Sequence, residues 1–344
     1  MQLGATVGMR DDPQGLTRHV QRLEAAGVGH LWAGEAYTAD AVSTLGFLAA
    51  VTSTAQIGSS ILPIYSRTPS LLAMTAVGLD KLSQGRFILG LGASGPQVIE
   101  GFHGVPYDFP LRRTREIIDI CHKVWAREER LVHEGASYQV PLAPGEGTGL
   151  GKPLKIMDHP LRPRIPIHIA SLGPRSVEMT AELAEGWLPL YFWPDRAGDV
   201  WGDALAAGRA RRAPDLPPLE VVAGGPLAIG DDVEGLRDLY RPTLALYFGG
   251  MGARGKNFYN DVLRGYGYER EAAEIQDAYL AGRKDEAAGM VPKDLVDGLS
   301  LVGDAGFVRD RVTAYREAGV TVLNVTPVGP NGRRDIETLA GWLA

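Results

Sequence analysis

The sequence predicts an α/β protein, a (β/α)8 barrel of the TIM type with insertion segments. Three observations carry that expectation. Short apolar runs of strand length alternate with segments of helical periodicity along the 344 residues. The runs end in loops rich in Gly, Ser and Pro, the punctuation of repeated βα units. The runs number eight, which closes a parallel barrel and gathers its working loops at the carboxyl ends of the strands.

Residues 3–8 form the first run. Residues 13–26 follow with Leu16, Val20 and Leu23 at helical spacing and stop at Gly27, a common helix end. The second run, 30–32, leads into Gly34-Glu35-Ala36-Tyr37, and Asp40 is placed to cap a helix through Thr52. Residues 56–62 are the third run, broken by Pro63, with a helix over 69–83 behind it. Residues 86–91 are the fourth, and 111–125 a helix with Ile117, Ile118, Cys121 and Val124 on one face. The alternation resumes with a strand at 165–170 and a helix at 174–184. A strand at 187–190 precedes a helix near 197–211. Residues 220–229 read as one seventh strand and 320–326 as the eighth, with a final helix over 335–343. One domain over 1–344 is expected, interrupted near 127–164, where a small hairpin fits 131–141, and near 249–292, which holds a helix over 269–281. Long insertions in such a fold serve as lids, binding loops or oligomer contacts.

Composition narrows the function. Lys plus Arg number 35 against 41 Asp plus Glu, a net charge of −6, which argues against nucleic acid or an anionic membrane as main partner. The one cysteine, Cys121, leaves no intrachain disulfide and no cysteine cluster, as expected in a reducing cytoplasm. No run approaches the apolar length of a membrane span, and no signal peptide is read at the start. The expectation is a soluble cytoplasmic protein. His19, His30, His122, His133 and His159 share no ligand spacing, so no metal site is expected.

Chemistry concentrates in the loop after the fourth strand, Gly90-Leu91-Gly92-Ala93-Ser94-Gly95-Pro96, which opens a helix at Gln97. A parallel small-residue turn, Ala170-Ser171-Leu172-Gly173-Pro174-Arg175-Ser176, follows the fifth strand. Two helix starts rich in free amides at one barrel end can hold an anionic tail, while apolar strand ends hold a ring. Gly90-x-Gly92-x-x-Gly95 matches a dinucleotide fingerprint, but Glu116 and Asp119, where its acidic residue should end a strand, lie in a helical pattern. Gly250 to Lys256 resembles a phosphate loop in which Asn257 replaces the required Ser or Thr. That stretch reads as an insertion loop closing over a substrate. Trp187, Tyr191, Phe192 and Trp193 cover a pocket or pack the core.

ILPIYSRTP, RFILGLGASGPQVIEGFHGVPYD, and PIHIASLGP with GWLP resemble the bacterial-luciferase-like family of flavin and deazaflavin oxidoreductases over nearly the whole chain, and most closely its coenzyme F420-dependent branch. The resemblance implies a (β/α)8 barrel with an insertion, a homodimer, and F420, with FMN the alternative, acting on a small-molecule substrate. It implies a non-prolyl cis bond at Ser60–Ile61, with Ser60, Ile61 and Pro63 forming a bulge behind the cofactor ring. Ala93, Ser94, Gly95 and Gln97 would line the ring edge or tail; Ala170, Ser171, Leu172, Gly173 and Ser176 would bind the tail and its phosphate. Glu35 falls where relatives carry an acid near the ring. Ala36 and Gly95-Pro96 stand where the branch's sugar-phosphate dehydrogenase has a histidine and a glutamate, which argues against that substrate. Candidate proton donors are Glu35, Tyr65, His103 and His168. Each has a plainer role open to it: a helix cap for Glu35, a loop position for His103, a satisfied barrel interior for His168. The rival activities are a monooxygenase using reduced FMN and O₂, and a non-catalytic flavin or deazaflavin carrier.

Overall fold

A computed structural model describes residues 1–9 and 12–343. Eight strands form the barrel: β1 Gln2–Thr6, β2 His30–Ala33, β3 Gln56–Ser59, β4 Phe87–Gly92, β5 Ile167–Ala170, β6 Gly186–Trp187, β7 Glu220–Ala223 and β8 Val322–Pro327. They pair in parallel in chain order, and β8 returns to β1 through Gln2↔Val322 to Ala5↔Val325. The (β/α)8 barrel is therefore closed.

Side-chain caps start the helices behind β2 and β3, the first of them at the Asp40 that the sequence indicates. Asp40 accepts the Ser43 N–H at 2.9 Å and starts Ala41–Val51; Thr68, followed by Pro69, starts Pro69–Leu82. Ile117, Ile118, Cys121 and Val124 are buried on one face of Pro110–Ala126. No helix among the described residues is long and apolar enough to cross a membrane.

Two strands differ from expectation. The third ends at Ser59, and Leu62–Pro63 pairs separately with Leu91 and Gly92 of β4. The seventh run is two strands. β7 stops at Ala223, and Pro226–Ile229 turns aside to pair with Leu301–Gly303 and with Thr326 and Pro327. Gly224 and Gly225 permit the step: a Cβ on either would meet a carbonyl oxygen, of Asn324 at 2.0 Å or of Leu299 at 2.2 Å. Leu301–Gly303, only three residues long, carries no periodicity to betray it.

The insertion after Pro110–Ala126 holds an antiparallel hairpin, His133–Glu134 with Gln139–Val140. The later one holds helices Phe258–Gly265, Glu269–Leu280 and Lys284–Gly289. Gly250 to Lys256 is no phosphate loop: it follows a π-helical turn and folds on itself through an Ala253–Lys256 bridge. Trp187, Tyr191 and Phe192 are core residues.

Inside the barrel Trp32, Ile88, Leu188, Val222 and Val322 form a cluster of their own. Trp32 is accommodated because its register partner is Gly58, where a Cβ would lie 2.3 Å from the indole Cζ3. Gly58→Val is expected to overpack this layer and cost about 1–3 kcal/mol, checked by urea unfolding. A loss below the resolution of the unfolding curve would show that the layer can yield.

Candidate active site

A cavity of about 520 Å³ opens at the carboxyl ends of the strands, a size that suits a small molecule or part of a cofactor. Its walls come from loops that the buried core fixes in place. After β4, Ser94 adopts a left-handed conformation (φ 57°), which turns Gly92 and Ala93 into the cavity. Tyr107 closes that side and donates from its hydroxyl to the Ser94 carbonyl at 3.3 Å. After β5, two buried indoles grip the loop: Trp187 Nε1 donates to the Ser171 carbonyl at 2.9 Å and Trp201 Nε1 to the Leu172 carbonyl at 2.7 Å. The Ser171 hydroxyl shares a 2.9 Å bond with that of Thr180. This loop delivers Gly173 as the start of Pro174–Leu183, a helix whose N-terminus no side chain caps.

The opposite wall is the Ser60–Ile61 bulge. The bond between these residues is cis, as the family resemblance implied. The bulge is held from behind: Ser60 N–H donates to the Ala33 carbonyl at 2.8 Å, and Glu35 N–H to the Ile61 carbonyl at 3.1 Å. Gly34 must be glycine here, since a Cβ would lie 2.6 Å from the Ser60 oxygen. The Ile61 side chain faces Gly92 and Ala170. A Cβ on Gly92 would sit 3.0 Å from Ile61 Cγ1 and 3.4 Å from the Ala170 Cβ, so glycine keeps a narrow slot open.

Among the expected site residues, Ser60, Ile61, Ala93, Ser94, Ala170, Ser171, Leu172, Gly173 and Ser176 line this cavity. Glu35, Pro63, Gly95, Gln97, His103 and His168 lie outside its lining. The reasons are specific. Glu35 is engaged by Arg67, with Nη1 donating to Oε1 at 2.7 Å and Nη2 to Oε2 at 2.8 Å, and it also accepts the Ala41 N–H. Burial pushes its carboxyl up, but these bonds outweigh burial and hold it below the usual value of 4.5. It is a fixed anion tying the loop after β2 to the loop after β3, not a free acid.

His168 is buried under Trp32, where a Cβ on Gly186 would meet its ring, and burial pushes its basicity down to about 3. It is neutral and away from the slot. His103 packs edge-on against Phe102. The Tyr65 hydroxyl donates to the Asp108 carbonyl at 2.8 Å and faces a second, outer pocket.

Residues that sequence reasoning missed are Trp32 and Asn324 on the cavity floor, Leu111, Thr114 and Met179 on its side, and Phe258 and Tyr259 from the second insertion. The floor residues alternate with buried partners along β2 and β8, so inward-facing positions near the ends of paired strands were a usable signal. Among the described residues, Arg175 is the one charged residue of the lining.

Comparison with known proteins fits this geometry. The family model described as luciferase-like monooxygenase matches residues 1–322. The chain belongs to that family. A Mycobacterium tuberculosis protein assigned by name to the coenzyme F420-dependent oxidoreductases is 42% identical over 98% of this chain and 99% of its own length. A 5,10-methylenetetrahydromethanopterin reductase of Archaeoglobus fulgidus is 25% identical over 94% of this chain and 93% of its own. The solved coenzyme F420-dependent tetrahydromethanopterin reductase of Methanopyrus kandleri superposes with a TM-score of 0.77, at 22% identity, covering 98% of this chain and 97% of the other. That last likeness concerns the luciferase-like fold.

Proposed function

We propose that this protein is a coenzyme F420-dependent oxidoreductase that moves a hydride between the deazaflavin and a small organic molecule. One observation carries the proposal: a slot walled by Ile61, Gly92 and Ala170 continues, at the same barrel mouth, into an uncapped helix start at Gly173. A flat ring with an anionic tail needs both parts together. The name of the mycobacterial relative supports F420 as the ring.

Bound F420 supplies a two-electron hydride carrier. The chain's own residues then bind and orient. Ser60, Ile61, Ala93 and Ser94 would hold the ring in the slot, while Ala170, Ser171 and Leu172 pass the tail to Gly173, Arg175 and Ser176. Glu35 acts from behind the wall through its bond to the Ile61 carbonyl, and Pro63 through its pairing with Gly92. Leu111, Met179 and Phe258 leave the remaining space apolar, which suits a neutral substrate and excludes water.

A second reading, a monooxygenase using reduced FMN and O₂, is favoured by the family's own description. Titration with F420 and, separately, FMN decides between them. Trp32 lies in the cavity floor, so occupation should quench its fluorescence. Strong quenching by F420 with weak quenching by FMN is the expected result, and Trp32→Phe should remove most of the signal. Preference for FMN would transfer the protein to the monooxygenase reading, and binding of neither would overturn both.

A further inference from the structure

The interior of a (β/α)8 barrel is ordinarily filled by branched apolar side chains. Here the polar side chains of His30, His168 and Asn324 stand beside the apolar cluster around Trp32. His30, Trp32 and His168 are at most 2% exposed. The Trp32 ring lies between the imidazoles, with centroids 5.9 Å from His30 and 5.5 Å from His168. Both ring nitrogens of His30, Nδ1 of His168, Nε1 of Trp32 and Oδ1 of Asn324 reach no partner among the described residues. Buried polar atoms in such numbers call for ordered water. Gly4 lets two of these atoms approach the β1 backbone closely: the position of a Cβ on Gly4 is 3.2 Å from Asn324 Oδ1 and 3.3 Å from Trp32 Nε1.

The two ends of this polar run differ. Trp32 and Asn324 belong to the cavity floor at the upper end. At the lower end His168 Nε2 lies 3.3 Å from Glu220 Oε2, and the Glu220 side chain, at the first residue of β7, keeps 30% exposure. The run therefore spans from the cavity to the opposite mouth of the barrel.

We propose that the barrel axis holds a file of ordered water which, with His168 and His30, conducts protons between Glu220 at the far mouth and the cavity. Its purpose rests on the hydride-transfer reading. A substrate that has accepted a hydride, and so two electrons, is one proton short. The nearest water of the file gives it that proton, the file passes the deficit down to Glu220, and bulk water reprotonates the carboxylate. Oxidation of a substrate runs the same path outward. Burial supports these roles, since it lowers His30 to about 4 and His168 to about 3 and raises Glu220. A neutral imidazole relays by accepting at one nitrogen and donating from the other, without resting as a cation.

The test uses the full chain without cofactor, uniformly labelled with ¹⁵N. Measured against the free exchange rate of each group, the ring N–H hydrogens of His30 and His168 should be protected at least about tenfold less than the barrel amides of Ala5 and Val222. His30→Leu, which plugs the file, and Glu220→Gln, which removes its outer proton acceptor, should each slow His168 exchange. Their circular dichroism should stay native. Wild-type imidazoles as protected as the barrel amides would overturn the proposal. So would fast exchange at His168 that neither variant changes. F420 titration of the same samples separates the two ideas: rapid, variant-sensitive exchange without F420 binding would uphold the file and sink the hydride-transfer reading.

Discussion

Arg67→Ala lowers the unfolding free energy by about 3–5 kcal/mol at neutral pH, because it strands the Glu35 carboxylate in a site built for an ion pair. The Glu35 side chain is 8% exposed and that of Arg67 14%, so water does little to replace the lost guanidinium. The cost should depend on pH in a definite direction. In the wild type the folded Glu35 carboxyl sits below 4.5, so its stabilising contribution is complete above that value and is lost as pH falls through the folded value. In the variant burial is unopposed, the carboxyl moves up, and the penalty is greatest where Glu35 would be ionised. The stability gap between the two proteins is therefore widest near pH 7 and closes toward pH 4. Urea unfolding at both pH values checks this, with Glu35→Gln/Arg67→Ala recovering part of the loss. A gap of equal size at both pH values would mean that Arg67 acts through packing alone. The consequence reaches the cavity, since the Glu35 backbone N–H holds the Ile61 carbonyl that sets the slot wall.

The barrel was legible because its signals are local. Apolar runs, the Asp40 cap and small-residue turns each depend on a few neighbours in sequence. The break at Gly224-Gly225 was not legible, because the need for glycine comes from carbonyls of Asn324 and Leu299, far along the chain. The candidate site divides in the same way. Ser60, Ser94 and Gly173 stand at loop positions that strand order alone brings to one mouth. The Glu35–Arg67 pair was not legible, since proximity across two loops is invisible in a linear reading. His168 has a strand pattern that cannot say how deep along the barrel axis its ring lies. Only the packing against Trp32 and Gly186 places it below the floor.

Ser176→Asp is expected to weaken F420 binding by at least about 100-fold while leaving the fold as stable as before. The two halves of that expectation come from one position. Ser176 stands in the first turn of Pro174–Leu183, its hydroxyl donating to the Gly173 carbonyl at 2.7 Å. A carboxylate in a first turn suits the positive end of the helix dipole, so the variant should melt no lower than the wild type. The same carboxylate would occupy the place proposed for the cofactor's phosphate. Two unit charges about 4 Å apart at an effective dielectric of about 20 repel by roughly 4 kcal/mol, enough for a loss of that size. Arg175→Ala, which removes a cationic side chain of the lining, should cost less, about tenfold, because the helix amides remain. Fluorescence titration reads both affinities and thermal melting reads the fold. Unchanged F420 affinity in Ser176→Asp would place the anionic tail elsewhere on the molecule. Lost affinity with a lowered melting temperature would assign Ser176 a structural role. Lost affinity in a protein that melts like the wild type, with Arg175→Ala intermediate, would tie the tail to this helix start and therefore the ring to the slot beside Ile61.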